Sequence, residues 1–197
     1  MKITRSIRQL AGIVALAGVL FTLQACASSR VGGSYRDSNM DFGSVKTVAV
    51  LPFVNLSKDL QASDRVRDVF TTSLLATGAV YVIPTGEVAR GIAATGLANI
   101  GNPSVDEAIK FCRMVKADAV ITGTIREYGE IRSGTASSDV VSLSLQMMEG
   151  QTGKVVWSAS TTQGGITFLD RLLGGGGRPL NVTTEKAVHD LINKLFE

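Results

Sequence analysis

Thr47-Val48-Ala49-Val50-Leu51-Pro52 is the stretch on which the fold turns. Its apolar run is rich in β-branched residues and offers no polar face, so a strand formed there must be covered on both sides. Pro52 ends it, because proline brings no amide to a ladder. Beyond it, Asn55, Ser57 and Asp59 supply turn and cap chemistry. From 62 to 77, Val66, Val69, Phe70, Ser73, Leu74 and Thr77 recur at helical spacing, with Gly78 where a helix C-terminal glycine belongs. Val80-Tyr81-Val82-Ile83 then gives a second strand, again stopped by proline at Pro84.

Further on, Thr85 is placed to cap a short helix ending near Gly96, with Glu87 in its first turn. Ser104 and Glu107 have capping-box spacing at the start of the helix that carries Cys112. Residues 119–125 form a third strand. Residues 140–148 alternate, with Val141, Leu143, Leu145 and Met147 on one face and Ser142, Ser144 and Gln146 on the other. After the turn Gln151-Thr152-Gly153, residues 154–161 return with Val155, Trp157 and Ala159 on one face, which makes a hairpin. Residues 182–196 close the chain as a helix with Val188, Leu191, Ile192 and Leu195 on one stripe. The order β-α-β-α-α-β-β-β-α predicts a single mixed α/β (α+β) domain. Its mixed sheet has about five strands, flanked by helices, with an antiparallel hairpin toward the C-terminus. Residues 126–139 are dominated by Gly, Ser, Glu and Arg and receive no strand.

The N-terminus has a different character. Lys2, Arg5 and Arg8 precede the apolar run 10–23, in which only Thr22 is polar. This is the charged and apolar layout of an export signal, and it is short for a permanent span of about 20 residues. Leu23-Gln24-Ala25-Cys26 resembles the bacterial lipobox. That resemblance implies cleavage between Ala25 and Cys26, a diacylglycerol on the Cys26 sulfur and acylation of the new amine. Two or more acyl chains anchor a protein stably where one does not. Ala27 in place of an aspartate implies sorting to the outer membrane, with the domain on the periplasmic face. The chain therefore divides into a signal peptide (1–25), a lipidated cysteine with a Ser- and Gly-rich tether (26–45) and a periplasmic domain (46–197). Removing three of the 20 basic residues leaves 17 against 17 acidic ones, so the formal charge of +3 belongs to the signal. The basic footprint of a nucleic-acid binder disappears with it.

Three stretches in order carry a family resemblance: 48–57 (Val48-Ala49-Val50-Leu51-Pro52-Phe53-Val54-Asn55-Leu56-Ser57), 117–124 (Ala117-Asp118-Ala119-Val120-Ile121-Thr122-Gly123-Thr124) and 152–158 (Thr152-Gly153-Lys154-Val155-Val156-Trp157-Ser158). Together with the lipobox they resemble the CsgG/LpoB/PelC-like, TolB N-terminal-domain-like superfamily of lipoproteins. The resemblance implies a lipid-anchored, non-catalytic protein. It would work as an accessory or scaffold in envelope assembly or export, or as an activator of a penicillin-binding peptidoglycan synthase. In these motifs Pro52 ends a strand, Asn55 and Ser57 serve the turn, and Gly123 permits close backbone approach. Pore formation by this chain alone is disfavoured, because 126–139 lacks the outward apolar alternation of a membrane-spanning strand pair.

An envelope enzyme is the alternative from another class, but catalytic chemistry finds no foothold in the sequence. Cys112 falls on the apolar face of its helix with Val105, Ala108 and Val115, and is expected to be a small buried group. His189 is the only histidine and is read as solvated. Asp106/Glu107 and Asp37/Asp41 suit helix-start and linker positions. Gly174–Gly177 lacks the Lys-Ser/Thr of a phosphate loop. No metal site or cofactor is expected beyond covalent lipid on Cys26. Ile166, Phe168, Leu169, Leu172 and Leu173 form an apolar cluster ahead of those glycines. It reads either as a short helix over the sheet edge or as a latch for a second copy, an envelope partner or the membrane interface.

Overall fold

The computed structural model describes residues 33–134, 136–166 and 177–197, which belong to one compact unit, Val31–Glu197. In chain order the strands are β1 (Ser34–Arg36), β2 (Thr47–Val50), β3 (Val54–Asn55), β4 (Tyr81–Val82), β5 (Ala119–Ser133), β6 (Ala136–Glu149) and β7 (Val155–Gly164). The helices are α1 (Ala62–Ala76), α2 (Thr85–Thr95), α3 (Val105–Val115) and α4 (Leu180–Phe196). The strands make one mixed sheet in the order β1-β7-β6-β5-β2-β4, with β3 also paired to β5. β2 runs parallel to β4 and β5, whereas β5, β6, β7 and β1 pair antiparallel. The sheet thus has a parallel half and an antiparallel half that meet at β5.

β2 is buried on both faces, as its composition requires. Val48 and Val50 join one core with Ala62, Val66, Phe70 and Leu74 of α1 and with Val188, Leu191 and Leu195 of α4. Ala49 and Leu51 point the other way, into a second core with Val88 of α2 and with Ala108, Phe111 and Cys112 of α3. Each fully buried side chain of this size contributes about 1.5–3 kcal/mol. Side-chain hydrogen bonds pin the parallel half. The Lys46 and Thr47 N–H groups donate to Asp118 Oδ2 at 2.9 and 2.8 Å, and Arg67 Nη2 donates to the Val50 carbonyl at 2.6 Å.

The motif residues act as their chemistry suggests. Asn55 Oδ1 accepts from the Ser57 N–H at 2.9 Å, while Asn55 Nδ2 donates to the Asp59 carbonyl at 2.7 Å. A Cβ on Gly123 would lie 2.3 Å from Leu145 Cδ2 and 2.7 Å from Phe53 Cδ1, so only glycine lets those side chains meet over β5. The Ser104–Glu107 capping box is complete in both directions.

Several expectations are corrected. The sheet has seven strands rather than about five. β1 pairs with β7 inside the segment assigned to the tether, so the ordered fold begins earlier than residue 46. β5 and β6 run on through 126–139 as a hairpin whose ladder reaches Ser133 and Ala136. Polar residues on both faces hide such a ribbon from apolar periodicity. On β7 the register slips opposite Met147 and Met148. Val156 turns into the core in place of Val155, which is 37% exposed. Thr85 makes no cap hydrogen bond, because Pro84 occupies the cap position of α2. The expectations on 1–32 and 167–176 lie outside the described residues.

Candidate functional site

Among the described residues, helices clothe the antiparallel half of the sheet on one face only. There α4 packs over β6 and β7, with Trp157 Nε1 donating to the Lys194 carbonyl at 3.0 Å and Lys194 Nζ to the Ser160 carbonyl at 3.0 Å. On the opposite face α2 and α3 cover the parallel half, and the cover stops at Val120 and Met148. Past that line the side chains turn polar.

Strand alternation and register lay these side chains out in rows. Thr122, Gln146, Ser158 and Tyr35 stand opposite one another across β5, β6, β7 and β1. Thr124, Ser144 and Ser160 form the next row, followed by Glu127, Ser142 and Thr162. In the third row the Ser142 and Thr162 hydroxyls already bond each other at 3.0 Å. Thr122, Gln146 and Ser158 of the first row and Thr124 and Ser144 of the second line a groove of about 200 Å³ together with Gly101 and Asn102. Those two residues come from the α2–α3 connection. Gly101 fits there because a Cβ would sit 2.1 Å from Val54 Cγ2, and the Asn102 N–H donates to Asn99 Oδ1 at 3.1 Å.

Among the described residues no charged side chain lines this groove. Thr122 is only 1% exposed, yet its hydroxyl has no hydrogen-bond partner among the described residues. Thr95, Thr183 and Thr184 donate back to helix carbonyls and Thr161 accepts from Gln163, while the buried Thr71 hydroxyl on α1, away from the groove, is the other one without a partner among the described residues. A buried polar atom without a partner costs about 1–3 kcal/mol, so the Thr122 hydroxyl marks a place where a bonding group is missing.

The residues singled out from sequence are not gathered here. Ala25, Cys26, Phe168, Leu169, Leu172 and Leu173 lie outside the described residues, and Ile166 is half-buried just beyond β7. Of the glycine run only Gly177 is described, and it packs on Ser138. Cys112 is buried, and its thiol is pushed up to about 12, first by desolvation and then by the nearby Asp118 charge, so it stays an inert thiol. His189 is exposed on α4. Glu107 belongs to the capping box, where the Ser104 N–H, the Ser104 hydroxyl and the Ala98 N–H hold its carboxyl below the usual range. Asp41 accepts from Gly43 N–H and Asp37 from Asn39 N–H, which are local turn roles. Among the described residues no cluster of His, Cys, Asp and Glu could hold a metal ion, and no helix is long and apolar enough to cross a membrane. The groove itself escaped the sequence reading. Its one signal was the pair Thr122 and Thr124 in an otherwise apolar strand, in phase with Ser142, Ser144 and Gln146.

A mixed sheet with α1 and α4 on one face and α2 and α3 on the other defines a fold shared with proteins of known structure. The PelC dodecamer of Paraburkholderia phytofirmans superposes with a TM-score of 0.56 at 16% identity, covering 83% of this chain and 97% of that one. Lipoprotein GNA1162 of Neisseria meningitidis superposes at 0.51 and 22% identity, covering 75% and 99%. The chain belongs to the family described as "Putative lipoprotein GNA1162-like", which matches residues 35–167. A relative from Neisseria meningitidis serogroup B, "Putative lipoprotein NMB1124/NMB1162", is 28% identical over 169 residues, covering 82% of this chain and 75% of its own length.

Proposed function

We propose that this protein is a non-catalytic lipoprotein held to the periplasmic face of the outer membrane by acyl chains on Cys26. There it serves as an accessory or scaffold in envelope assembly or export. Membership of a lipoprotein family carries the reading, and the lipobox Leu23-Gln24-Ala25-Cys26 behind a charged and apolar leader supports it. The fold shared with PelC, a dodecamer, supports action as a homo-oligomer.

The early start of the sheet bears on where such a protein works. From Cys26 to Gly33 an extended chain spans at most about 25 Å, since each residue adds at most about 3.6 Å. That reach favours a role beside the anchoring membrane. Activation of a peptidoglycan synthase in the opposite membrane, the alternative implied by the superfamily resemblance, asks for a longer arm.

Intact mass of the purified protein and fractionation of envelopes test the anchor. The wild type should carry two or three acyl chains at Cys26 and sediment with outer membranes, and Cys26→Ala should leave the membrane fraction. A bare cysteine on soluble wild-type protein would overturn the reading. Crosslinked pulldown then separates the roles, since export or assembly proteins support the scaffold and a synthase supports the activator.

A further inference from the structure

We infer that the groove on the uncovered face of β5, β6 and β7 is a binding site for an uncharged, polyhydroxylated ligand, a short neutral oligosaccharide. The inference is independent of lipidation and goes beyond the scaffold role. Its lining offers hydroxyls and carboxamides from Thr122, Ser144, Gln146 and Asn102, each able to donate and to accept, and the Ser158 hydroxyl, which donates to the Leu145 carbonyl and is left to accept. Sugar hydroxyls have the same dual character. A phosphate, carboxylate or ammonium would instead be desolvated there without a counter-charge, at a cost that an uncharged ligand avoids.

A polypeptide fits less well. In this region β6 is paired on both sides, by β5 and by β7, so it has no free backbone edge to add a strand to. The side chain of Leu145 belongs to the opposite core, and the rest of the lining has no apolar pocket for a peptide side chain. The unpartnered Thr122 hydroxyl supplies a buried donor already in place. Outside the groove lining, at the far end of the row and across roughly 14 Å of sheet, Tyr35 stands 52% exposed, an aromatic group within reach of a longer sugar chain.

The test uses the full chain in a zwitterionic detergent with no sugar headgroup. The probes are cellotetraose and chitotetraose as neutral oligosaccharides, with tetragalacturonate and the chitosan tetramer as anionic and cationic controls. At least one neutral probe should bind about tenfold tighter than either control, and should shift the amide resonances of Gly101, Thr122 and Gln146. Gln146→Leu should weaken that binding about tenfold, the worth of one or two lost hydrogen bonds. Thr122→Val should do the same while the free protein's melting point holds or rises, because the variant removes an orphaned hydroxyl. Gln146 makes no side-chain hydrogen bond within the described residues, so its variant keeps the test open if Thr122→Val fails to fold. Three results would each overturn the proposal: no neutral probe bound by folded protein at millimolar concentration, a charged control bound as tightly, or a folded variant at either position that binds like the wild type.

Discussion

The two halves of the sheet are built to different rules. In the parallel half β2 has a core on each side, and Val48, Ala49, Val50 and Leu51 are at most 2% exposed. In the antiparallel half β6 sends Val141, Leu143, Leu145 and Met147 into one core and Ser142, Ser144 and Gln146 to the other side. In the first half both faces of β2 are taken up by cores. The second spends one face on stability and keeps the other for contact. Fold and recognition are therefore separated by a line between Val120 and Thr122 on a single strand.

Mutations can break this contrast at different strengths. The largest effect should come from the core that both halves share. Phe70→Ala, at 0% exposure against Phe53 with ring centroids 6.0 Å apart, should cost about 3–5 kcal/mol in denaturant unfolding. Next comes a matched pair across the dividing line. Val120→Thr should cost about 1–3 kcal/mol by burying a hydroxyl without a partner, whereas Ser144→Val should change stability by no more than about 0.5 kcal/mol. Equal costs for the two would dissolve the distinction.

Smaller effects sharpen the covered half. Ser104→Ala should cost about 1 kcal/mol through the lost cap of α3. Glu107 is held below its ordinary range in the folded state, so its contribution is complete above the unfolded value of about 4.3 and is lost as pH falls through the depressed folded value. Melting points of wild type and Glu107→Gln should differ at neutral pH and converge in acid. Least of all, iodoacetamide should leave Cys112 untouched in the folded protein at neutral pH and label it after unfolding, as mass spectrometry would show.

The covered half was the more legible in sequence. Apolar runs ended by Pro52 and Pro84, the capping box at Ser104 and the glycine at Gly96, with φ of +66°, are local signals that tertiary structure had no reason to override. The polar half gave weaker ones. β1 and the hairpin beyond Ile125 lack a periodic apolar face, and their strands exist because a neighbour offers a ladder. The bulge that brings Val156 inward depends on pairing with β6, which strict alternation along β7 cannot contain. The groove was hard to read because its rows take shape only when β5, β6 and β7 pair in register.

The borders of the sheet have a further consequence. β1 and β4, which end it, are three and two residues long. Along β5 beyond Ile125, Arg126, Glu127, Glu130 and Arg132 crowd the free flank, and Gly129 takes a φ of +128°. A second copy arriving at β1 or β4 finds only three or two residues of strand to extend, so runaway stacking into fibres has little to start from there. Copies that meet at those ends do so through side chains, and such contacts can be retuned one substitution at a time.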